Sequence, residues 1–336
     1  MARRYLSCAP DCATRGCICI ALLVTVLVCP NLAAGVSLPG TPPTGLSGLP
    51  PGMPPPATAS AASAAPVLQR IQQTGVMRIA YRESSIPFSY LAHGRPVGYA
   101  IDLCLRVVEA VRIALKQPQL RVDWLPVNSV TRIPAIVEGR ADLECGSTTN
   151  TSERRRQVAF TVPHFIASIR MLVRADSPIR NWSDLVGRTV VSSKGTTPLR
   201  YIHDMNAGEV LRLKVMEGKD HAESFALLES GQAEAFVMDD VLLYGARAGA
   251  AAPGAYRIAG DALTVEPYAI MLAPDDAEFK KIVDKALIGA IYEGETQRLY
   301  RKWFLSPIAP NGVVLDIPMN YLLRDSFKFP SDKVAD

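Results

Sequence analysis

Val76-Met77-Arg78-Ile79-Ala80-Tyr81 alternates apolar and outward-facing residues with the two-residue period of a strand. A short helical stretch, Val67 to Thr74, precedes it and is closed by Gly75. From Gly98 to Leu115 the period changes to a helical one, with Ile101, Leu105, Val108, Ile113 and Leu115 as the expected apolar face. A strand at Leu120–Leu125, a helix at Val130–Glu138 and a strand at Ala141–Cys145 follow, and a further helix begins near Ser152, capped by Thr151 or Ser152. Strands and helices alternating over short loops imply an α/β fold with a mainly parallel sheet.

The same rhythm then restarts. His164 to Arg174 reads as one long apolar strand, Trp182–Leu185 as a helical turn and Thr189–Ser192 as a strand. Thr197–Met205 is helical, Val210–Met216 a strand and His221–Ser230 a helix. Ala235–Met238 is a strand leading into a helix at Asp239, and Tyr268–Leu272 is another strand. Two amphipathic helices, Glu278–Tyr292 and Gln297–Trp303, precede a Pro-rich irregular tail from Ser306 onward. Two α/β units of similar size predict two lobes and a cleft between them.

Ahead of this body lie two segments of different composition. Arg3 and Arg4 start a basic region, Cys17–Val28 is continuously apolar, and Ala33, Ala34 and Gly35 are small. That order is the pattern of a secretory signal, and the apolar run falls short of the roughly 20 residues a membrane span needs. Residues 36–66 are rich in Pro, Gly, Ala, Ser and Thr and carry no charge, as expected of a flexible tether. The formal charge is +4, and half of it comes from the signal region, so no nucleic-acid partner is expected. Five of the seven cysteines lie in or beside the signal, leaving Cys104 and Cys145. One bridge is the most they allow, and two buried small residues is the plainer reading.

Ligands of open α/β sheets bind at the carboxyl ends of strands. Arg82 follows the first strand. Ser129 and Arg132 follow the second, and Gly146-Ser147-Thr148-Thr149 with Arg154 follow the third. Gly195-Thr196-Thr197 joins a strand to a helix, His221 opens a helix, and Asp239 ends the Ala235–Met238 strand. An amino-acid ligand needs this chemistry: a guanidinium for its α-carboxylate, hydroxyl and backbone donors beside it, and a carboxylate for its ammonium. One arginine and one acid serve a neutral amino acid, so Arg82 and Arg132 imply a second carboxylate on the ligand. Asp239 serves equally well as a helix cap, and Arg154-Arg155-Arg156 taken alone is an exposed basic face. The four histidines lack metal-ligand spacing, no Gly-x-Ser-x-Gly elbow or phosphate loop is present, and no enzyme or cofactor is indicated.

The segments Arg82-Glu83-Ser84-Ser85-Ile86-Pro87-Phe88-Ser89-Tyr90, Gly98-Tyr99 with Asp102, Arg132-Ile133-Pro134 and Glu144-Cys145-Gly146-Ser147-Thr148-Thr149-Asn150 with Glu153-Arg154 together resemble one family. Gly195-Thr196-Thr197, Asp220-His221, Ser224-Phe225, Leu228-Glu229-Ser230-Gly231, Met238-Asp239-Asp240 and Lys302-Trp303-Phe304 extend the likeness. It is the glutamate/aspartate-binding proteins of bacterial ABC importers (extracellular solute-binding family 3).

The resemblance implies a class II periplasmic-binding fold, two α/β lobes joined by two hinge strands. Lobe 1 would be 67–163 plus 266–336 and lobe 2 would be 164–265, after a signal at 1–35 and the tether at 36–66. It implies that Arg154 holds the α-carboxylate with Ser147, Thr149, Thr196 and Thr197, and that Asp239 takes the ammonium. Arg82, Ser129, Arg132 and His221 would surround the side-chain carboxylate. Val130-Thr131 departs from the Gln-Asn-like pair found in many relatives. The expected partners are glutamate or aspartate and a membrane permease, with the protein periplasmic and monomeric. A periplasmic dehydratase or a sensor input domain on the same fold are the alternatives.

Overall fold

The computed structural model describes residues 66–208 and 211–333. The expected signal and nearly all of the tether lie outside these residues. Each half is organised around a five-stranded sheet. The first runs Arg121–Val127, Val76–Arg82, Leu143–Cys145, Met271–Leu272, Ala159–Phe160. The second runs Lys214–Gly218, Thr189–Ser193, Ala235–Asp239, Ile169–Arg174, Tyr256–Ala259.

The two sheets share one plan. In each, the first strand is flanked by the next two strands, parallel to it; one strand then runs antiparallel, and the edge strand pairs antiparallel with that one and so runs with the first three. Each sheet is therefore mixed, with four strands running one way and one against them. The antiparallel members include the strands by which the chain enters each sheet from the other half, and these arrive against the local direction. Flanking a first strand on both sides creates a topological switch point, where loops leave in opposite directions and open a crevice at the carboxyl ends.

The expected long strand from His164 is broken. Phe165–Ala167 pairs with Glu266–Tyr268 in a two-stranded antiparallel ribbon, and Ile169–Arg174 belongs to the second sheet. At the break, the Ser168 amide donates to Asp240 Oδ1 at 3.2 Å and its hydroxyl to the Thr264 carbonyl at 2.6 Å. Side-chain and loop partners thus replace a ladder. The expected Tyr268–Leu272 strand divides likewise between this ribbon and the first sheet.

Other boundaries moved for local reasons. The segment after Ser152 forms only a single 3₁₀ turn, Arg154–Arg156, although Thr151 Oγ1 does accept from the Arg154 amide at 3.2 Å. The strand expected at Val210–Met216 lies at Lys214–Gly218. The tail contains a helix, Tyr321–Ser326, capped by Asn320 Oδ1 accepting from the Leu323 amide at 2.8 Å. A hairpin-like sheet of Ser84–Ser85, Ser89–Ala92 and Arg95–Val97 was not anticipated.

The helix Tyr99–Leu115 is where expected, but its buried face is rotated. Ile101, Cys104, Val107, Val108 and Val111 are buried, whereas Leu105 and Ile113 are exposed. Cys104 forms a disulfide with Cys145, with the Cα atoms 6.3 Å apart. This bond fixes the helix to the strand that leads directly into the Gly146–Thr149 loop. It replaces the plainer reading of two separate buried thiols. Phe88 anchors an aromatic cluster with Phe165, Tyr268 and Phe304 at the base of the ribbon, with centroids 5.0, 5.1 and 5.6 Å away. Edge-to-face packing of this kind adds about 0.5–1.5 kcal/mol per pair beyond area burial. Among the described residues, no helix is long and apolar enough to cross a membrane.

Candidate ligand-binding site

The carboxyl ends of three parallel strands from each sheet face one another. From the first sheet come Arg82, then Ser129 with Arg132, then Ser147, Thr149 and Arg154. The second contributes Thr196 and Thr197, His221, and Asp239. All ten sequence-predicted residues are buried. Nine of them, with Met238, line one small, narrow cavity. Arg82 lies behind this lining. Its Nη2 donates to Ser129 Oγ at 2.6 Å and lies 3.2 Å from His221 Nε2.

Local backbone chemistry places each side chain. Asn128 Oδ1 accepts from the Val130 and Thr131 amides at 2.9 and 3.0 Å, turning the chain so that Ser129 and Arg132 face inward. Val130 and Thr131, where the family pattern differs, are exposed. A Cβ on Gly146 would lie 2.8 Å from Arg82 Cγ and 2.3 Å from Glu144 Oε1, so only glycine lets Arg82 pass. Thr196 caps the Thr197–Ala207 helix, accepting from the Leu199 amide at 3.3 Å. Asp239 occupies an N-cap position but caps nothing: its Oδ2 accepts from Tyr268 Oη at 2.5 Å. The cap reading of Asp239 therefore fails. The arginine run is split, with Arg154 buried and Arg156 exposed.

The two walls touch. Arg132 and Arg154 each donate an Nη2 hydrogen to the Gly195 carbonyl, at 3.2 and 3.3 Å. Thr149 and Thr197 hydroxyls lie 3.4 Å apart, and Arg200 pairs with Glu153 at the rim. Gly195 has φ +73°, and a Cβ there would lie 2.7 Å from the Ser129 carbonyl oxygen.

The charges are strained by burial. Desolvation and the neighbouring Arg132 push Arg82 down to about 9, and the same causes push Arg154 to about 9. Burial drives the Asp239 carboxyl well above its usual range, with Glu266 adding to the effect. Burial, Arg82 and Arg132 hold His221 well below its ordinary value. Arg132 Nε, Ser147 Oγ and Asp239 Oδ1, although buried, have no hydrogen-bond partner among the described residues. Buried polar atoms normally find one, and here donors and an acceptor face one cavity. This suits a ligand carrying both anionic and cationic groups.

Sequence reasoning missed Tyr268 and Glu266, which orient Asp239 and Thr197; Thr197 Oγ1 donates to Glu266 Oε2 at 2.8 Å. Both sit on a ribbon strand whose register has no sequence signal. Ser193 was also missed, although the rule of inspecting strand ends would have found it. Among the described residues no cluster suits a metal ion.

A family model for bacterial extracellular solute-binding proteins, family 3, matches residues 77–306. This chain belongs to that family. Over 271 residues it is 44% identical to the L-glutamate/L-aspartate-binding protein of Pseudomonas aeruginosa, covering 80% of this chain and 90% of that one. It is 39% identical to the glutamate/aspartate import solute-binding protein of Salmonella typhimurium, covering 81% and 91%. A solved ancestral amino-acid-binding protein, a precursor of cyclohexadienyl dehydratase, superposes with a TM-score of 0.59 at 27% identity, over 71% of this chain and 99% of its own. The class II periplasmic-binding fold implied by the resemblance is the fold of this family 3 member.

Proposed function

We propose that this protein is the periplasmic receptor that encloses glutamate or aspartate between two lobes and presents it to the membrane permease of an ABC importer. The lobes are 67–163 with 266–336 and 164–265, closing about the Phe165–Ala167 and Glu266–Tyr268 ribbon. The observation that carries this reading is two buried guanidiniums, Arg132 and Arg154, and the buried Asp239 carboxylate lining one small cavity, with a third buried guanidinium, Arg82, behind them. Arg154 takes the α-carboxylate, helped by Ser147, Thr149, Thr196 and Thr197. Asp239, steadied by Tyr268, takes the ammonium. Arg132 takes the side-chain carboxylate with Ser129 and His221, and Arg82 supports them from behind. Each ligand charge relieves a desolvated protein charge of the opposite sign, so binding stabilises the closed arrangement.

The relatives' names support the ligand and the importer, and the residues ahead of the described body carry the pattern of an export signal. We take the receptor to act as a monomer, since the cavity is completed within one chain. A dehydratase needs a general acid beside a leaving hydroxyl. His221, the nearest candidate, is held neutral and is already engaged with Arg82.

The test is a thermal shift of the purified protein against the twenty amino acids. A ligand at 1,000 times its Kd adds about 4 kcal/mol of stability. Glutamate and aspartate should give the largest shifts. A larger shift with a neutral or basic amino acid would refute the acidic-ligand assignment, and turnover of prephenate or arogenate would refute the receptor reading.

A further inference from the structure

Behind His221, away from the cavity, lie two fully buried hydroxyls that the ligand reading leaves without a task. Ser193 Oγ is 2.9 Å from His221 Nδ1 and 2.8 Å from Ser224 Oγ, and Ser224 Oγ is 2.8 Å from the Asp220 carbonyl oxygen. On the cavity side, His221 Nε2 faces Arg82 Nη2 at 3.2 Å.

Donor and acceptor roles along this line follow from one fixed end. A guanidinium has only donors. His221 Nε2 must therefore accept, and in a neutral ring the proton then sits on Nδ1. Nδ1–H donates to Ser193 Oγ, leaving the Ser193 hydroxyl hydrogen for Ser224 Oγ. The Ser224 hydroxyl in turn donates to the Asp220 carbonyl. That carbonyl also accepts from the Ser224 amide at 3.1 Å, so the chain ends on a backbone group fixed by the helix. A charged ring would point N–H at N–H toward Arg82, and burial beside Arg82 and Arg132 opposes it.

We infer that Ser193 and Ser224 are positioning residues that hold the His221 proton on Nδ1, so that Nε2 aligns Arg82 for recognition of an acidic side chain. With the proton on Nε2 instead, Arg82 would lose one of its two side-chain partners, Ser129 being the other. Three small polar groups that merely satisfied one another would be indifferent to the position of this proton. The tautomer is thus the property that separates a positioning role from a packing role.

Long-range ¹H–¹⁵N correlation on histidine-labelled protein at pH 7, with His221→Gln to assign the resonance, reads the tautomer directly. The expected result is a neutral ring protonated at Nδ1. Ser193→Ala should move the population toward Nε2–H and weaken glutamate about tenfold by calorimetry, with a smaller loss for glutamine. Ser224→Ala should move both in the same direction to a lesser extent, and it carries the test should Ser193→Ala not fold. A wild-type ring protonated at Nε2 or on both nitrogens would overturn the inference, as would a tautomer unmoved in the foldable serine variant. The binding arm rests on the acidic-ligand reading, whereas the spectrum does not. The expected tautomer in a protein that ignores glutamate would sink only the ligand assignment.

Discussion

The two walls of the cavity come from sheets of the same strand order, yet they carry different chemistry. The first wall supplies Arg132, opening a helix, and Arg154, in a 3₁₀ turn, with Arg82 at a strand end behind them. The second supplies two threonines, a neutral histidine and Asp239. Neither wall alone balances its charges, and separately each would keep them in water. Bringing them together removes water from cations on one side and an anion on the other, which is unfavourable unless partners are found. A shared topology therefore supplies the positions. The division of residue types between the halves leaves the charges of each wall to be balanced across the cavity.

The strongest way to break this comparison is to remove the sole ammonium acceptor proposed for the second wall. Asp239→Asn keeps the shape and deletes the charge, and Arg154→Ala deletes its counterpart across the gap. Losing one member of a buried, hydrogen-bonded charge pair costs about 2–5 kcal/mol, so glutamate affinity should fall by roughly 30-fold or more in either variant. Calorimetric titration checks it, and near-normal affinity in Asp239→Asn would mean that the acidic wall plays no part in recognition.

A sharper and smaller effect divides the cationic wall within itself. Arg132→Ala should weaken glutamate by about 10- to 100-fold, the worth of hydrogen bonds to a charged group, while changing glutamine far less. Equal losses for the two ligands would assign Arg132 to the α-carboxylate end instead.

The smallest effect concerns the region between the walls. His164 is buried against Phe88 and Tyr99 at the start of the ribbon, and neither ring nitrogen has a hydrogen-bond partner among the described residues. Burial pushes its pKa from 6.5 to about 3. The folded state then binds fewer protons than the unfolded one between these values, so stability is full above pH 6.5 and is lost as pH falls toward 3. The loss between pH 7 and pH 5 is about 2 kcal/mol. His221 adds to it with the same sign. His164→Leu should flatten this fall in denaturant titrations at the two pH values. An unchanged pH dependence would place the acid sensitivity in the walls rather than the ribbon.

Much of this arrangement was legible because strand ends in α/β sheets are where ligands collect. Arg82, Ser129, Arg132, Thr196 and Asp239 each follow an apolar alternation that ends abruptly, and the expected elements around them match the structure to within a few residues. What was hidden depended on long-range pairing. The apolar runs at His164–Arg174 and Tyr268–Leu272 looked continuous, because periodicity does not reveal that one run serves two sheets. Tyr268 opens the second of those runs and Glu266 lies just ahead of it, on the ribbon strand that the run concealed, so both went unnoticed. The buried face of the Tyr99–Leu115 helix was misread because Leu105 and Ile113 are apolar but exposed. The choice between one disulfide and two buried thiols needed the geometry of a helix crossing a strand. Asp239 was ambiguous for a different reason: a cap and a ligand acceptor demand the same residue at the same place, and only the Tyr268 hydroxyl separates them.

Gly195 sets the gauge of the whole device. Its carbonyl accepts from two arginines, and a Cβ on it would run into the Ser129 backbone, so the two walls meet there main chain against main chain. A stop made of peptide groups does not compress, and it does not repack when neighbouring side chains vary. The width of the chamber is thereby decoupled from its lining. Evolution or engineering can retune which head groups are welcomed by exchanging the lining, whereas admitting a longer cargo requires moving the stop itself.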